Sequence, residues 1–276
     1  MDQDCRCSAL QHLCQELRYQ IIRMSHLGEA PHLGSSLSCI DLITCAYETF
    51  LQISAQSPDD PLRDRFFLSK GHAVTALYAV LAHKGFFSKK LLETFNQDGS
   101  CLPEHPTPKC VPGVEIATGS LGHGLSLGIG HALSAKIQGH AYRVMVLMSD
   151  GECNEGSVWE AALFAPAQRL DNLIAIIDFN KWQATGRSEQ IMQLSPLKEK
   201  WMSFGWQTYE IDGNSVEDIL ALLNNLPIGQ GKPIMIIAHT VKGKGISFME
   251  DNNNWHYRIP TAAELDQAKQ ELGLTT

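Results

Sequence analysis

The sequence lacks several features that mark common functional classes. None of its apolar runs approaches the ~20 residues that a membrane-spanning helix needs. Positive charge is not in excess, because 30 acidic residues outnumber 22 basic ones and the formal net charge is −8. We therefore expect neither a membrane protein nor one that captures nucleic acid electrostatically. A polyphosphate ligand would need a local device such as a metal ion, a helix N-terminus or an isolated lysine.

The spacing of a cysteine-based zinc site is also missing. None of the eight cysteines forms a Cys-x-x-Cys pair, and the Cys-x-Cys at Cys5 and Cys7 has no second pair to complete it. The N-terminal M-D-Q-D-C-R-C is polar and has no apolar signal region behind it. We therefore expect a cytoplasmic protein whose cysteines remain thiols.

What the sequence does contain is an alternation of helical patterns with short, largely apolar runs. Helices are predicted over residues 8–26, 72–84 and about 124–138, with two more beginning near Ser38 and Thr261. Strands are predicted at residues 144–148, 173–177, 206–211 and 234–238. Most of these runs are apolar throughout, so both faces of a mostly parallel sheet should be covered by helices, in an α/β fold of three α/β/α layers.

Two further features concern the connections between these elements. Residues 98–118 hold four prolines and little periodicity, which predicts a long ordered loop of the kind that often carries function. Pro166 falls inside a predicted helix and should kink or end it.

Two polar residues each follow a predicted strand. Asp150 ends one strand and Asn180 ends the next, and ligands of open α/β sheets bind beyond the carboxyl ends of strands. A carboxylate, an amide oxygen and a nearby carbonyl suit Mg²⁺ or Ca²⁺, with diphosphate oxygens completing the coordination. Gly151 lets the backbone approach closely. Asp-Gly alone is usually only a turn, so the metal site is predicted from the pair of strand ends.

The segment from Asp150 to Asn180 resembles the thiamine-diphosphate fingerprint, G-D-G followed further along by N. Its continuations E-C-N-E-G-S-V-W-E-A and L-D-N-L-I-A-I-I-D-F-N-K are similar to transketolases, particularly those split between two genes. The resemblance implies a thiamine-diphosphate-binding fold in which Asp150, Asn180 and the carbonyl of Trp182 hold the metal. It also implies that Glu155 lies between two cofactors at a dimer interface. Ser149 replaces the first Gly of the fingerprint, which affects only the local turn.

Four histidine-containing motifs resemble transketolase in the same order along the chain. They are P-H-L-G-S-S-L-S-C-I-D, L-S-K-G-H-A-V, P-E-H-P-T-P and K-G-K-G-I-S-F-M-E-D-N-N-N-W-H. Transketolases move a two-carbon ketol unit from a ketose to an aldose, so hydroxyl protons must move near pH 7, where histidine is suited to carry them. The resemblance implies that four histidines line the cleft as catalytic groups, the second and fourth also contacting the cofactor: His32, His72, His105 and His256. We interpret His26, His83 and His140 as surface residues.

The resemblance assigns further cofactor contacts. Gly119 and Leu121, within V-P-G-V-E-I-A-T-G-S-L-G-H-G, match backbone and apolar contacts to the two rings of thiamine diphosphate. Lys242 and Lys244 follow a predicted strand, and Lys242 is the predicted contact to the diphosphate. His123 is a further candidate for the site.

Several alternatives remain open. The chain could belong to another thiamine-diphosphate enzyme, such as a 2-oxoacid dehydrogenase subunit or a deoxyxylulose-phosphate-synthase-like protein, although the histidine set and W-E-A argue against this. The intact Asp150, Asn180 and Glu155 argue against a non-catalytic cofactor-binding or regulatory protein. A nicotinamide-binding domain is suggested only by G-S-L-G-H-G, which lacks the preceding strand and the required spacing. Pro31, Leu33 and Tyr257 depart from the transketolase pattern and leave room for an unusual substrate or a weakened enzyme.

One part of a transketolase has no counterpart in the sequence. Residues 1–276 are predicted to form a single diphosphate- and metal-binding domain. In the resembling family a pyrimidine-binding domain supplies an activating glutamate, and most of the arginines that grip sugar phosphates lie outside the first domain. We therefore expect the pyrimidine-binding and C-terminal domains on a partner chain, in a dimer of heterodimers acting on sugar phosphates. The untagged start at Met1 favours a separate gene.

Overall fold

The computed structural model describes residues 3–274, and side chains from residue 5 onward. The α-helices are α1 (Gln3–Leu27), α2 (Leu33–Cys45), α3 (Val74–His83), α4 (Gly124–Gln138), α5 (Gly156–Ala167), α6 (Ser188–Ile191), α7 (Leu197–Ser203), α8 (Val216–Leu223) and α9 (Ala262–Glu271). The strands are β1 (Arg65–Leu68), β2 (Val144–Ser149), β3 (Leu173–Phe179), β4 (Gln207–Asp212) and β5 (Ile234–His239). No helix within residues 3–274 is long and apolar enough to cross a membrane.

The five strands form one parallel sheet in the order β1-β2-β3-β5-β4. The four strands predicted from apolar runs are confirmed to within two residues. Strand β1 escaped prediction because R-F-F-L is only four residues long. It nevertheless alternates between faces, since Phe66 and Leu68 join one core and Phe67 joins the other.

Each face of the sheet carries its own apolar core. Helices α1, α2, α3, α8 and α9 cover one face, on which Met145 and Ile174 lie. Helices α4, α5 and α7 cover the opposite face, on which Val146 and Ala175 lie. The predicted three-layer α/β/α architecture is therefore confirmed. Strands β2, β3 and β5 are largely apolar because both of their faces are buried, whereas the edge strand β4 is more polar and partly exposed.

Helix α2 begins five residues before the predicted start, so the interpretation of Ser38 as its first residue is wrong. His32 adopts a left-handed conformation, with φ 68°, and its carbonyl accepts the amide N–H of Ser35 at 3.1 Å. The helix is not amphipathic either, because all of its residues are buried. Ser38 donates to a carboxylate of β3 and Asp41 pairs with Arg18, so neither residue caps a helix.

The remaining predicted elements are confirmed. Helix α4 has the predicted bounds, and the structure contains neither helix nor strand between residues 98 and 118. Helix α5 ends one residue after Pro166, as expected for a residue without an amide N–H. Helix α9 starts with a capping box in which Thr261 and Glu264 bond each other's backbone N–H groups.

Candidate active site

The carboxyl ends of the parallel strands bring the predicted site residues to one edge of the sheet. Ser69 follows β1, Asp150 follows β2, Asn180 follows β3, and the segment with Lys242 follows β5. Parallel strands all end at the same edge, which is where ligands of this class of fold bind.

Asp150 and Asn180 are joined by the backbone between β3 and α6. The Asp150 carboxylate accepts the N–H of Gly151 at 2.9 Å on one oxygen, and the N–H of Lys181 at 3.0 Å and the Ser188 hydroxyl at 2.7 Å on the other. Burial raises the pKa of Asp150 to about 6. Asn180 is also buried, and its Oδ1 accepts the N–H of residue 182 at 3.1 Å. The two predicted metal-binding side chains therefore lie on adjoining strand ends.

The surroundings of this pair fit a metal ion bound together with a diphosphate. Within residues 3–274 no three His, Cys, Asp or Glu side chains cluster as a metal site, so an ion here would rely on Asp150, Asn180, the Trp182 carbonyl and oxygens of its anion. A Cβ atom on Gly151 would lie 3.0 Å from Gln183 Cγ, so a side chain at this position would push the Gln183 side chain aside. Gln183 Nε2 is a buried donor without a partner, as expected where an anion is to be bound.

A buried carboxylate that the sequence analysis did not single out organises a hydrogen-bond network next to Asp150 and Asn180. Asp178 forms an ion pair with Lys70, accepts the hydroxyl of Ser38 at 2.6 Å, and also accepts the hydroxyl of Thr240. The Asn180 amide nitrogen donates to the same carboxylate at 3.3 Å, which turns Asn180 Oδ1 away from Asp178. The signal in the sequence was an acidic residue inside the otherwise apolar run of β3.

The four predicted catalytic histidines lie together beside the Asp178 network. His32 is central, with ring centroids 5.4 Å from His72, 6.1 Å from His105 and 4.8 Å from His256. Each comes from a different segment: the start of α2, the turn after β1, the long loop, and the short 3₁₀ helix Asn253–His256. Their clustering makes them available to one ligand, and their catalytic roles stay a prediction.

Burial keeps three of these histidines, His32, His72 and His256, neutral at pH 7. Burial lowers the pKa of His32 to about 4, with smaller contributions from His105 and Lys242. Burial likewise lowers the pKa of His256 to about 3, and Lys242 adds to the effect. The pKa of His72 falls well below its ordinary value because of burial and the nearby Lys70 cation. A neutral imidazole donates at one nitrogen and accepts at the other, as proton transfer to and from hydroxyls requires.

The structure distinguishes between the two candidate lysines. Lys242 is fully buried, and its Nζ donates to Asn253 Oδ1 at 2.7 Å and lies 3.0 Å from His256 Nδ1. Burial lowers the pKa of Lys242 to about 8. Lys244 instead lies 3.2 Å from the carboxylate of Glu250 and is half-exposed. Only Lys242 therefore belongs to the histidine cluster.

The other predicted cofactor contacts, Gly119, Leu121 and Glu155, lie at the rim of the site. A Cβ on Gly119 would lie 2.7 Å from His105 Cδ2, and its φ of 138° is unfavourable for any other residue, so glycine is required for close packing. Leu121 is half-buried, and its carbonyl lies 3.0 Å from Nδ1 of the exposed His123. Glu155 is exposed just before α5 and is not part of the histidine cluster.

A second missed carboxylate, Glu152, holds this rim in place. Its buried side chain accepts the hydroxyl of Ser69, the N–H of Gly122 at 2.9 Å and the N–H of Ser149 at 3.3 Å. Glu152 thereby ties the glycine-rich turn to the ends of β1 and β2. The three histidines interpreted as surface residues lie outside the cluster. His26 contacts the carbonyl of Pro260, His83 contacts Glu48, and His140 contacts the ring of Tyr142.

Comparison with known proteins agrees with this geometry. Residues 11–276 match the family described as transketolase, thiamine diphosphate binding domain. The chain belongs to the transketolase family. It is 42% identical to an apulose-4-phosphate transketolase subunit of Phocaeicola vulgatus, over 92% of this chain and 90% of that protein. It is 41% identical to the 6-deoxy-6-sulfo-D-fructose transketolase subunit SqwG of a Clostridium species, over 87% of this chain and 88% of that protein.

A solved transketolase shares the fold. The transketolase of Campylobacter jejuni superposes with a TM-score of 0.91 at 29% identity, covering 99% of this chain but 43% of that one. The chain thus spans about nine-tenths of the transketolase subunits that it matches, and less than half of the longer transketolase.

Proposed function

We propose that this chain is the diphosphate-binding subunit of a transketolase that transfers a two-carbon ketol unit from a ketose phosphate to an aldose phosphate, using thiamine diphosphate and Mg²⁺ or Ca²⁺. The observation that carries the proposal is the convergence of four histidines with the Asp150–Asn180 pair at one sheet edge. Membership of the transketolase family supports the same reaction class.

The residues divide into those that hold the cofactor and those that meet the sugar. When bound, thiamine diphosphate supplies the carbon nucleophile for breaking and re-forming the sugar carbon–carbon bond. Asp150, Asn180 and the carbonyl of Trp182 hold the metal, and Lys242 holds the diphosphate together with Gln183. Gly119 and Leu121 contact the rings of the cofactor.

The histidines move and orient hydroxyl protons. Lys242 donates to Nδ1 of His256, so the hydrogen of this neutral ring lies on Nε2 and His256 acts as a hydrogen-bond donor. His72 also contacts the cofactor, in keeping with the strong effect of burial on its pKa. His32 and the adjacent His105 accept and return protons of sugar hydroxyls, a role to which the imidazole side chain is suited.

A second chain completes the active site. The transketolase subunits that resemble this chain are matched over most of their length, and a partner chain would supply the pyrimidine-binding and C-terminal domains. Helices α4 and α5 expose Leu127, Leu163 and Phe164, which are 42%, 60% and 43% accessible. Helix α4 begins directly after His123 and α5 directly after Glu155, and such exposed apolar groups favour a covered interface. A dimer of heterodimers would place Glu155 at this interface.

The names of the relatives also suggest the kind of sugar. One name refers to apulose 4-phosphate and the other to 6-deoxy-6-sulfo-D-fructose, so both describe sugars with an anionic substituent. We propose a ketose donor of this class, phosphorylated or sulfonated, for the present chain.

The reaction class is tested with the assembled enzyme. The chain and its partner are incubated with thiamine diphosphate, Mg²⁺ and either a ketose phosphate plus an aldose phosphate or a 2-oxoacid. Two-carbon transfer between the sugars is expected, without release of CO₂ from the 2-oxoacid. Decarboxylation without sugar turnover would contradict the proposal and support instead a 2-oxoacid dehydrogenase subunit.

Replacing His105 with alanine is expected to lower ketol transfer by about 10²- to 10⁴-fold, the usual contribution of a proton-transfer group. Cofactor affinity should change much less, because His105 lies in the long loop and not at the metal pair. Steady-state kinetics and calorimetry on the assembled enzyme measure the two effects. His140→Ala, a histidine outside the cluster, is the matched control. Turnover at the wild-type rate in His105→Ala would remove His105 from the catalytic set.

The affinity for thiamine diphosphate is expected to fall as the pH rises through about 8. Lys242 has a pKa lowered to about 8 by burial, so it is charged below this pH and neutral above it. A charged lysine attracts the diphosphate, and losing that charge should weaken binding by about 10- to 100-fold. Lys242→Met should abolish this pH dependence, whereas Lys244→Met should preserve it because Lys244 pairs with Glu250. Calorimetric titrations measure the affinity at pH values from about two units below to about two units above the pKa of Lys242. An unchanged profile in Lys242→Met would contradict the assignment.

A further inference from the structure

The backbone after Asn180 forms a tight hairpin whose base holds the predicted carbonyl ligand. Residues Trp182 and Arg187 pair as an antiparallel bridge, and the N–H of Gln183 donates to the carbonyl of Gly186 at 2.8 Å. On the inner side, the carbonyl of Trp182 belongs to the metal site proposed above, and Ser188 bonds Asp150. This hairpin, residues 182–187, therefore adjoins the metal pair directly.

On its outer side the hairpin is held by one acidic residue from a different loop. Asp251 Oδ1 accepts the indole N–H of Trp182 at 2.7 Å and a guanidinium N–H of Arg187 at 2.7 Å. Its Oδ2 accepts a second guanidinium N–H at 2.5 Å, so the ion pair is bidentate. The guanidinium carbon of Arg187 also lies 3.8 Å from the centre of the Trp182 ring, in cation–π contact. We name these three residues, Trp182, Arg187 and Asp251, the clamp.

The segment that carries Asp251 also carries Lys242 and His256, which belong to the cleft. The N–H of Asp251 donates to the carbonyl of Lys242 at 2.9 Å. Asn253 bridges the two loops, since its Nδ2 donates to the carbonyl of Ala184 at 3.0 Å and its Oδ1 accepts the Lys242 ammonium at 2.7 Å. The same ammonium lies 3.0 Å from His256 Nδ1. A displacement of the hairpin would therefore reach both the metal pair and the lysine.

We propose that Asp251 and Arg187 are positioning residues. Through the clamp they hold Trp182, and with it the whole hairpin, in the conformation that binds the metal–diphosphate group. The inference rests on the proposed function, because it needs that group as the ligand. The indole of Trp182 takes part in the clamp, and the carbonyl of the same residue binds the ion. Trp182 therefore links the protein surface to the metal site.

The energetics explain why such a clamp is needed. The hairpin has little apolar burial, since Thr185 is exposed, the other hairpin residues are only partly buried, and Lys181 just before it is also exposed. A segment of this kind samples other conformations, and binding would then have to bear the cost of ordering it. Fixing the hairpin in advance raises the fraction of molecules that are competent to bind and so raises the apparent affinity.

The test compares Asp251→Ala with the wild type, each assembled with the partner chain proposed above. Thiamine diphosphate is titrated calorimetrically at saturating Mg²⁺, and affinity is expected to fall by about 3- to 10-fold, as suits an exposed ion pair with a cation–π contact. Asp59→Asn removes an exposed acid far along the chain and is the control for net charge. Arg187→Lys keeps the charge but loses the bidentate fork, so an intermediate effect is expected.

A second readout does not depend on affinity. Trypsin can cut after Lys181 and Arg187, and both sites remain in Asp251→Ala. Cleavage at these sites should be several-fold faster in this variant than in wild type or Asp59→Asn, and Mg²⁺ with inorganic diphosphate should slow it. Unchanged affinity and unchanged cleavage in Asp251→Ala, with a wild-type assembly that binds the cofactor, would overturn the clamp alone. Failure of the wild-type assembly to bind would overturn the cofactor proposal and the clamp with it.

Discussion

Replacing Asp150 with alanine is expected to abolish Mg²⁺-dependent binding of thiamine diphosphate while leaving the chain folded. Asp150 is the only carboxylate in the proposed ligand set, and without it the ion would retain only neutral protein ligands, an amide oxygen and a carbonyl. Changes to residues that merely support metal ligands commonly cost about 10- to 100-fold in affinity, so loss of the charged ligand should exceed ~100-fold.

The fold should tolerate this change because the buried carboxylate is held by few groups. Its removal leaves the N–H groups of Gly151 and Lys181 and the hydroxyl of Ser188 without their acceptor. Unpartnered buried groups cost about 1–3 kcal/mol each, and the raised pKa of Asp150 shows that its burial is itself unfavourable. The midpoint of thermal unfolding and the calorimetric titration are measured together, with Asp98→Ala as control. Unchanged affinity in a folded Asp150→Ala variant would contradict the metal assignment.

The second large effect is the complete dependence of activity on a partner. The described residues form one sheet with its covering helices, and in the proposed function they provide only the diphosphate- and metal-binding half of the active site. In the proposed function the activating glutamate belongs to a pyrimidine-binding domain, for which the solved transketolase has additional chain length. Permanent interfaces commonly bury more than ~2,000 Å², and the exposed apolar residues of α4 and α5 offer part of such a surface.

The predictions that succeeded depend on local patterns. Strand β3 begins with a continuous apolar run, residues 173–177, and α4 has bounding glycines, so each was recognisable without its neighbours. Asp150 and Asn180 were found because parallel strands end at a common edge, which places distant positions of the sequence together once the strands are known. The histidines were assigned by resemblance, and the structure adds that their rings lie within 4.8–6.1 Å of His32.

What escaped prediction depends on partners far apart in the sequence. Lys70 and Asp178 form a fully buried ion pair across 108 positions, and no local pattern connects them. Asp251 reads as an ordinary acid in a polar loop, although it bonds Trp182 and Arg187 more than sixty residues away. The early start of α2 was hidden because a left-handed residue, His32, begins that helix in place of a conventional capping side chain.

The most direct test of the split-subunit proposal is a reconstitution assay. The highly purified chain, and the same chain mixed with a transketolase C-terminal chain, are each given thiamine diphosphate, Mg²⁺, a ketose phosphate and an aldose phosphate. Two-carbon transfer is expected only in the mixture, with an optimum at equal amounts of the two chains and a complex containing two copies of each. Robust transfer by the purified single chain would contradict the proposal that a second polypeptide completes its active site.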